Sequence, residues 1–322
     1  MVLVTGATGF IGRHLTERLL QEGTAVRVVT RDPGRVPPHW AGRVEVITGN
    51  LLNQGVRAQA TQGVSLIYHL AGETRDEATM WAVNVEALRA LLTTAAGASV
   101  KRIVCLSSVG VIGAESQGVA TEETPCRPKS EYERSKLEGE QVVLAFAQEG
   151  RVSGAVVRPT IVFGEGITRS RDSFLEWLRA IRSGRFVFFG RRAVANYVYV
   201  GDVVEAMRRL ADRSVTDAEV FQVADPAPIR DFVEAAAQAL GVPVPDKTMP
   251  LWLACTAGAC LQLANRLLGT PAPLTLSRVR ALSSQCLFSG DKLQTRAGVT
   301  LPFGYRQGLL RTVRWYRERG AL

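Results

Sequence analysis

Tyr132-Glu133-Arg134-Ser135-Lys136 sets a phenol and an ammonium four residues apart, one turn of helix and so one face. An ammonium beside a phenol favours the phenolate, and such a tyrosine can exchange a proton with a substrate oxygen near neutral pH. The lysine can also hold the ribose of a nicotinamide. Upstream, Ser108 follows the apolar run Ile103 to Leu106 and falls at the carboxyl end of a strand, where open α/β sheets place their ligands. Its hydroxyl could hold a substrate carbonyl while the tyrosine gives the proton, with Ser107 the alternative one register earlier. His69, inside another apolar run, reads as a satisfied core residue.

The pair gains weight from what must position it. Val2-Leu3-Val4-Thr5 reads as a buried strand that turns at once into Gly6-Ala7-Thr8-Gly9-Phe10-Ile11-Gly12 and then an amphipathic helix with Ile11, Leu15, Leu19 and Leu20 at helical spacing. Gly6 permits a tight turn, Gly9 lets backbone approach a pyrophosphate, and Gly12 lets the helix pack on the strand. The helix N-terminus then offers free N–H groups to phosphates. The second strand, Ala25 to Thr30, ends in Arg31-Asp32-Pro33-Gly34-Arg35. A carboxylate at that tip selects a free ribose 2′-hydroxyl and an arginine selects a 2′-phosphate. Thr30 followed by Arg31 therefore points to NADP, with NAD the alternative; Asp32 is open as turn-former or ribose ligand.

Further strands are Val44 to Ile47, closing on Asn50-Leu51, and Val64 to Leu70, ending in Ala71-Gly72, whose small residues suit a flat cofactor. Asn84 opens an apolar-periodic helix through Leu88, Leu91 and Leu92, and Pro159 follows the strand Ala155 to Val157. The expected cofactor-binding set is Gly6, Thr8, Gly9, Phe10, Ile11, Gly12, Arg31, Asn50, Leu51, Leu70, Ala71, Gly72, Asn84, Tyr132, Lys136 and Pro159. Strands alternating with helices predict an α/β fold, a Rossmann-type doubly wound parallel sheet with a smaller C-terminal substrate lobe. Residues 1–165 form the dinucleotide-binding domain, to which 196–225 returns; 166–195 and 226–322 form the lobe.

A chain of 322 residues with 46% hydrophobic content supports that size of core. Five cysteines without a Cys-x-x-Cys spacing fit reduced thiols, and three scattered histidines fit no metal centre. A strand beginning at residue 2 leaves no room for a leader, so the expectation is cytoplasmic. The net charge of +9 is dispersed over pairs such as Arg191-Arg192 and Arg208-Arg209, which fits a solvated basic surface, with no nucleic acid and a small-molecule substrate as partner. The uncharged stretch Leu251 to Leu261 is too short to span a bilayer. Residues 251–268 read first as a lobe helix walling an apolar pocket and second as an interfacial helix in peripheral membrane contact.

On these residues the chain resembles the extended short-chain dehydrogenase/reductases of the epimerase/dehydratase-like superfamily. The resemblance rests on Thr5 to Gly12, His69 to Gly72, Asn84-Val85, Ser107-Ser108 through Gly113, Tyr132 to Lys136, Arg158-Pro159, Asn196 to Val203 and Gly308 to Trp315, nearly the whole chain. It implies Ser108, Tyr132 and Lys136 as the catalytic triad, Asn84 in a supporting structural or proton-relay position, and a homodimer. Val109-Gly110 stand where the 4,6-dehydratases carry an acidic pair, and Ile161 where nucleotide-sugar epimerases typically place an asparagine. The tip Val-Thr-Arg-Asp-Pro resembles the dihydroflavonol-reductase branch; Pro271 to Thr275 and the apolar helix before it resemble the 3β-hydroxysteroid-dehydrogenase-like branch. The implied activity is hydride transfer at a secondary alcohol or ketone of a bulky, largely apolar molecule. A nucleotide-diphosphate-sugar epimerase using the same triad, with Arg191, Arg192 or Arg280 clamping the diphosphate, is the alternative. A cofactor-binding subunit without turnover is a third reading, against which the presence of both Tyr132 and Lys136 stands.

Overall fold

A strand covered on both faces must be apolar along its whole length, and the runs at Val2, Ile103 and Ala155 meet that condition. The computed structural model describes residues 1–113, 117–167, 172–189, 192–212, 217–268, 279 and 283–322. Pro271 to Thr275, Arg191 and Arg280 lie outside them. The first half runs β1 (Val2–Thr5), α1 (Phe10–Gln21), β2 (Val26–Thr30), β3 (Val44–Thr48), α2 (Gln54–Thr61) and β4 (Leu66–His69). It continues with α3 (Glu77–Trp81), a π turn (Ala82–Glu86), α4 (Ala87–Gly97), β5 (Arg102–Leu106), β6 (Gln117–Ala120), α5 (Glu131–Gln148), β7 (Ser153–Pro159) and β8 (Ile161–Phe163). The second half holds α6 (Ser173–Arg182), β9 (Phe188–Phe189), β10 (Val194–Ala195), β11 (Tyr197–Tyr199), α7 (Val200–Arg209), β12 (Glu219–Val223), β13 (Ala227–Pro228) and α8 (Ile229–Leu240). β14 (Thr248–Met249), α9 (Leu251–Leu268), β15 (Gln285–Phe288), α10 (Asp291–Ala297) and α11 (Gly304–Glu318) complete it.

Seven parallel strands form the central sheet in the order β12-β7-β5-β4-β1-β2-β3. The order reverses between β1 and β4, and that switch point is where the ends of the two strands splay and leave a crevice for a ligand. Arginines inside the strands tie helices to this sheet. Arg27 donates to the carbonyls of Gln59, Ala60 and Gln62 at the end of α2, and Arg102 to Leu210 O at the end of α7. Each places a cation where helix carbonyls run out of partners.

A second core is aromatic and joins segments from both sides of the expected domain bounds. Phe163 stacks on Phe174 at 4.9 Å and Tyr197 on Phe232 at 4.8 Å, with Trp177 between Phe174 and Phe186. Buried Asp202 joins lobe to sheet, since its carboxylate accepts from Phe303 N and Gly304 N, both at 3.0 Å, and so starts α11. One expectation is corrected. Asn84 does not open a helix; the helix starts at Glu77, capped by Asp76, and Asn84 lies in the π turn inside it. An Asx cap upstream of a continuous apolar pattern outweighs the asparagine at 84.

His69 lies fully buried at the end of β4, its Nδ1 2.9 Å from Thr5 Oγ1 on the neighbouring β1. Burial first, and then the charge of Lys136, pushes its pKa down to about 3, so it stays neutral in the fold. Because the folded value is depressed, the unfolded chain takes up a proton on acidification before the folded one does. Stability is therefore full above the unfolded value near 6.5 and falls below it, by up to about 1.4 kcal/mol per pH unit. In urea titrations between pH 7 and 4, His69→Gln should flatten that slope relative to the parent; identical slopes would mean the ring is protonated in the fold.

Candidate active site

The helix that carries Tyr132 and Lys136 begins at a capping box. Ser130 Oγ accepts from Glu133 N at 3.2 Å, and Glu133 Oε2 accepts from Ser130 N at 3.0 Å. Tyr132, Lys136 and Glu140 then follow at successive helical turns on one stripe of α5. Lys136 Nζ donates to Leu106 O, the last residue of β5, at 2.9 Å. The same strand leads into Ser107 and Ser108, and α5 packs on the short 3-10 turn that Ser108 caps. The structure thus brings Ser108 and Lys136 to one strand end, with Tyr132 one turn earlier on the same helix.

The two serines are not equivalent. Ser107 is buried and its hydroxyl donates to Glu140 Oε1. Glu140 also takes Arg158 Nε at 2.9 Å and Nη2 at 2.6 Å, with the two side chains only 2% and 5% exposed. Ser108 Oγ accepts from Gly110 N at 3.1 Å, which leaves its own hydroxyl hydrogen free for another partner. Ser107 is committed to the core and Ser108 faces the half-buried turn.

Asn84 works from behind. Its Oδ1 accepts from Glu73 N at 2.7 Å, and its Nδ2 donates to Glu73 O at 3.0 Å and Ser135 Oγ at 2.9 Å. Its amide is spent on joining the loop after Gly72 to α5. A Cβ added at Gly72 would lie 3.3 Å from Lys136 Nζ, so the absence of a side chain there leaves the ammonium room.

Across Gly72 lies a cleft of about 370 Å³ at the switch point. Of the expected cofactor residues, Gly6, Thr8, Gly9, Arg31, Asn50, Leu51, Leu70, Ala71 and Gly72 line it. Gly6 has φ +71°, and a Cβ there would sit 2.6 Å from Ala71 N; one at Gly12 would sit 2.1 Å from Gly6 O. These contacts force the turn and the helix together. Gly9 caps α1 without any side-chain hydrogen bond, leaving the first N–H groups of a 12-residue helix open to an anion. A dinucleotide fits this cradle. Phe10 and Ile11 do not line the cleft, their side chains packing against the aromatic core, and Pro159 ends β7 in buried surroundings. Val83 and Ala87 line the cleft as well, on the helix face either side of Asn84.

At the adenosine end, Thr30 Oγ1 donates to Asp32 O and Asp32 Oδ1 accepts from Gly34 N, and the exposed charges of Arg31, Asp32 and Arg35 all line the cleft at the strand tip. Glu73 stands opposite; the backbone N–H of Arg75 foremost, and then neighbours that include Arg31, hold its carboxyl below the usual carboxylate range. Tyr132 opens onto an adjoining cleft with Thr74, Arg75, Glu77, Met80 and Ser130. A larger groove of about 1060 Å³ lies between α2 and α4 and holds none of the expected residues. Among the described residues, no group of three His, Cys, Asp or Glu is placed to hold a metal ion. Glu140 was not anticipated; the signal that could have found it is its place four residues beyond Lys136 on the tyrosine stripe.

The model of the NAD dependent epimerase/dehydratase family matches residues 2–224. The chain is 27% identical over 325 residues to N-acetyl-alpha-D-glucosaminyl-diphospho-ditrans,octacis-undecaprenol 4-epimerase of Escherichia coli O157:H7, covering 98% of this chain and 94% of that one. It is 30% identical to the ceramide reductase of Caulobacter vibrioides over 328 residues, 100% and 96% of the two chains. Among solved structures, MoeE5 in complex with UDP-glucose and NAD superposes with a TM-score of 0.73 at 25% identity over 99% of both chains.

The Glu140–Arg158 pair gives a stability prediction. Glu140→Ala leaves a buried guanidinium without its partner and should cost about 3–5 kcal/mol, whereas Glu140→Leu with Arg158→Met should recover most of it. Urea midpoints compare the three chains; a loss below about 1 kcal/mol in the single variant would mean water reaches the arginine.

Proposed function

The chain belongs to the NAD dependent epimerase/dehydratase family, and within it we propose an oxidoreductase that moves hydride between a nicotinamide and a secondary alcohol or ketone of a bulky, lipid-like substrate. The observation that carries this reading is the 2.9 Å bond from Lys136 Nζ to Leu106 O, which sets the Tyr-Lys stripe of α5 at the strand end bearing Ser108, across Gly72 from the glycine cradle. Gly6, Thr8, Gly9 and the open N-terminus of α1 would hold the pyrophosphate, with Asn50, Leu51, Leu70 and Ala71 along the adenosine side. A reduced nicotinamide bound there supplies hydride to a carbonyl carbon, or in its oxidised form accepts one.

The chain's own residues handle the oxygen. Ser108 donates its free hydroxyl hydrogen to the carbonyl oxygen and holds it. As negative charge builds on that oxygen, Tyr132 passes its phenolic proton to it, completing the alcohol. Lys136, fixed through Leu106 O, offers a positive charge toward the phenolate left behind. Oxidation runs these transfers in reverse. Glu140 takes no proton in this scheme; through Ser107 and Arg158 it fixes the strand ends on which Ser108 and Pro159 stand.

Two features support an apolar substrate. Ile161, two residues beyond Pro159, is an apolar side chain 56% exposed. The ceramide reductase and the undecaprenol epimerase are both named for lipid substrates. The similarity to the undecaprenol epimerase over 98% of the chain favours one second reading, epimerisation of a lipid-linked sugar with the same residues. We further propose NADP as the cofactor, with Arg31 holding the 2′-phosphate, because the strand-end position is Thr30 and not a carboxylate, and Arg31 and Arg35 line the cleft beside Asp32, one of whose oxygens accepts from Gly34 N.

Tyr132→Phe should lower turnover by roughly 10²–10⁴ with cofactor affinity retained, and near-parental turnover would remove the tyrosine from the mechanism. Fluorescence titration with NADPH and NADH tests the tip. Arg31→Ala should weaken NADPH on the order of tenfold and leave NADH unchanged; equal effects on both make Arg31 a surface residue. Cofactor carried through purification separates the readings, since an epimerase returns its hydride in each cycle and can retain NAD, while a dehydrogenase must exchange its cofactor.

A further inference from the structure

The first turn of α9 carries Leu251, Trp252 and Leu253, exposed to 43%, 68% and 41%. Three consecutive residues spread over more than half the circumference of a helix, so they cannot share one buried face. Ala254 makes the contact with the lobe, packed with Phe189, Met249 and Cys255, and the bulky side chains face outward. From Thr248 to Asn265 the sequence has no charged residue. A surface helix normally turns a polar face to water, and over residues 251–259 this one offers only Thr256, whose hydroxyl donates to Leu253 O. No helix among the described residues is long and apolar enough to cross a membrane.

The surroundings are basic. Lys247 is exposed, with Nζ 3.1 Å from Gly184 O, next to exposed Arg185. Exposed Arg230 stands 4.9 Å over the ring of Phe188, which pairs with Thr248 three residues before Leu251. Asp246 precedes Lys247 and Asp231 follows Arg230, so three cations stand against two acids.

We propose that the start of α9 is a membrane-docking surface, with Leu251, Trp252 and Leu253 entering the headgroup boundary of an anionic bilayer and Arg185, Arg230 and Lys247 meeting its lipid phosphates. A tryptophan flanked by leucines, beside cations, matches the interface between hydrocarbon and headgroups, where an indole places its ring in the apolar zone and its N–H in the wet one. The proposal rests on the reading of a lipid-like substrate, which it would reach without leaving the membrane surface.

Flotation of the full chain with phosphatidylethanolamine/phosphatidylglycerol vesicles tests it, with phosphatidylcholine vesicles as the neutral comparison. The parent should float with the anionic vesicles and at least tenfold less with the neutral ones. Leu251→Ser/Trp252→Ser/Leu253→Ser should lose roughly tenfold or more of this binding, and so should Arg185→Glu/Lys247→Glu, each with parental melting and parental NADPH affinity. A parent that stays with the protein fraction, or variants that float as it does, overturns the proposal. So does a triple variant that turns a dimer into a monomer in sedimentation while still binding vesicles, because the face would then be a self-interface. Flotation uses no substrate, so it stands apart from the function reading; in a separate turnover assay, a chain that floats yet turns over only water-soluble sugar nucleotides sinks the lipid reading and keeps the surface.

Discussion

A carboxylate at 2% exposure holds the reactive face of this protein together. Glu140 receives the guanidinium of Arg158 from β7 and the hydroxyl of Ser107 from the end of β5 while belonging to α5. Two charges removed from water are tolerable only when each finds close, well-aligned partners, so the three elements have little freedom to slide. The stripe Tyr132, Lys136, Glu140 makes that rigidity useful. With its third member locked into the sheet, the first two are carried to fixed heights above the strand ends, and the bond from Lys136 to Leu106 O sets the second independently. Positioning by packed helix and sheet is more precise than positioning by loops, and proton transfer between hydroxyls depends on that precision.

The cofactor side rests on a steric constraint instead. At Gly6 and Gly12 a single added carbon would fall 2.6 Å and 2.1 Å from backbone atoms. Neither glycine contacts a ligand through a side chain; each lets one backbone segment touch another, so that the bare end of α1 faces the mouth of the sheet. The halves meet at Gly72, with the cleft on one side and Lys136 and Asn84 on the other. An asparagine whose amide is fully used by Glu73 and Ser135 is the clamp that keeps them in register.

What could be read in advance follows the range of the interactions. The strand, glycine turn and helix at residues 2–21 are local, and so is the Tyr132–Lys136 spacing; both were legible from short windows. The preference for Ser108 over Ser107 came from strand register and resemblance; the partner that claims Ser107, Glu140, lies 33 residues away and gave no signal of that bond. The pairing of β6 with β15 joins Gln117–Ala120 to Gln285–Phe288, two short segments with no periodicity of their own. Motif residues carried by resemblance acquire physical reasons only here. Asn196 brackets β15 through Cys286 O and Phe288 N, Asp202 starts α11, and Gly308 leaves room for the ring of Tyr199. None of these contacts leaves a spacing signal in the chain.

The two kinds of constraint explain how one frame can serve different substrates. Around the cofactor, close backbone approaches and a fully used amide leave no substitution without cost. Beside Tyr132, the adjoining cleft is lined by Thr74, Arg75, Glu77 and Ser130, all exposed, and by buried Met80. Their exchange would disturb neither Glu140 nor the glycine turn. Residues fixed by the buried ion pair and residues outside it can therefore change separately, since function belongs to the site and not to the fold that carries it.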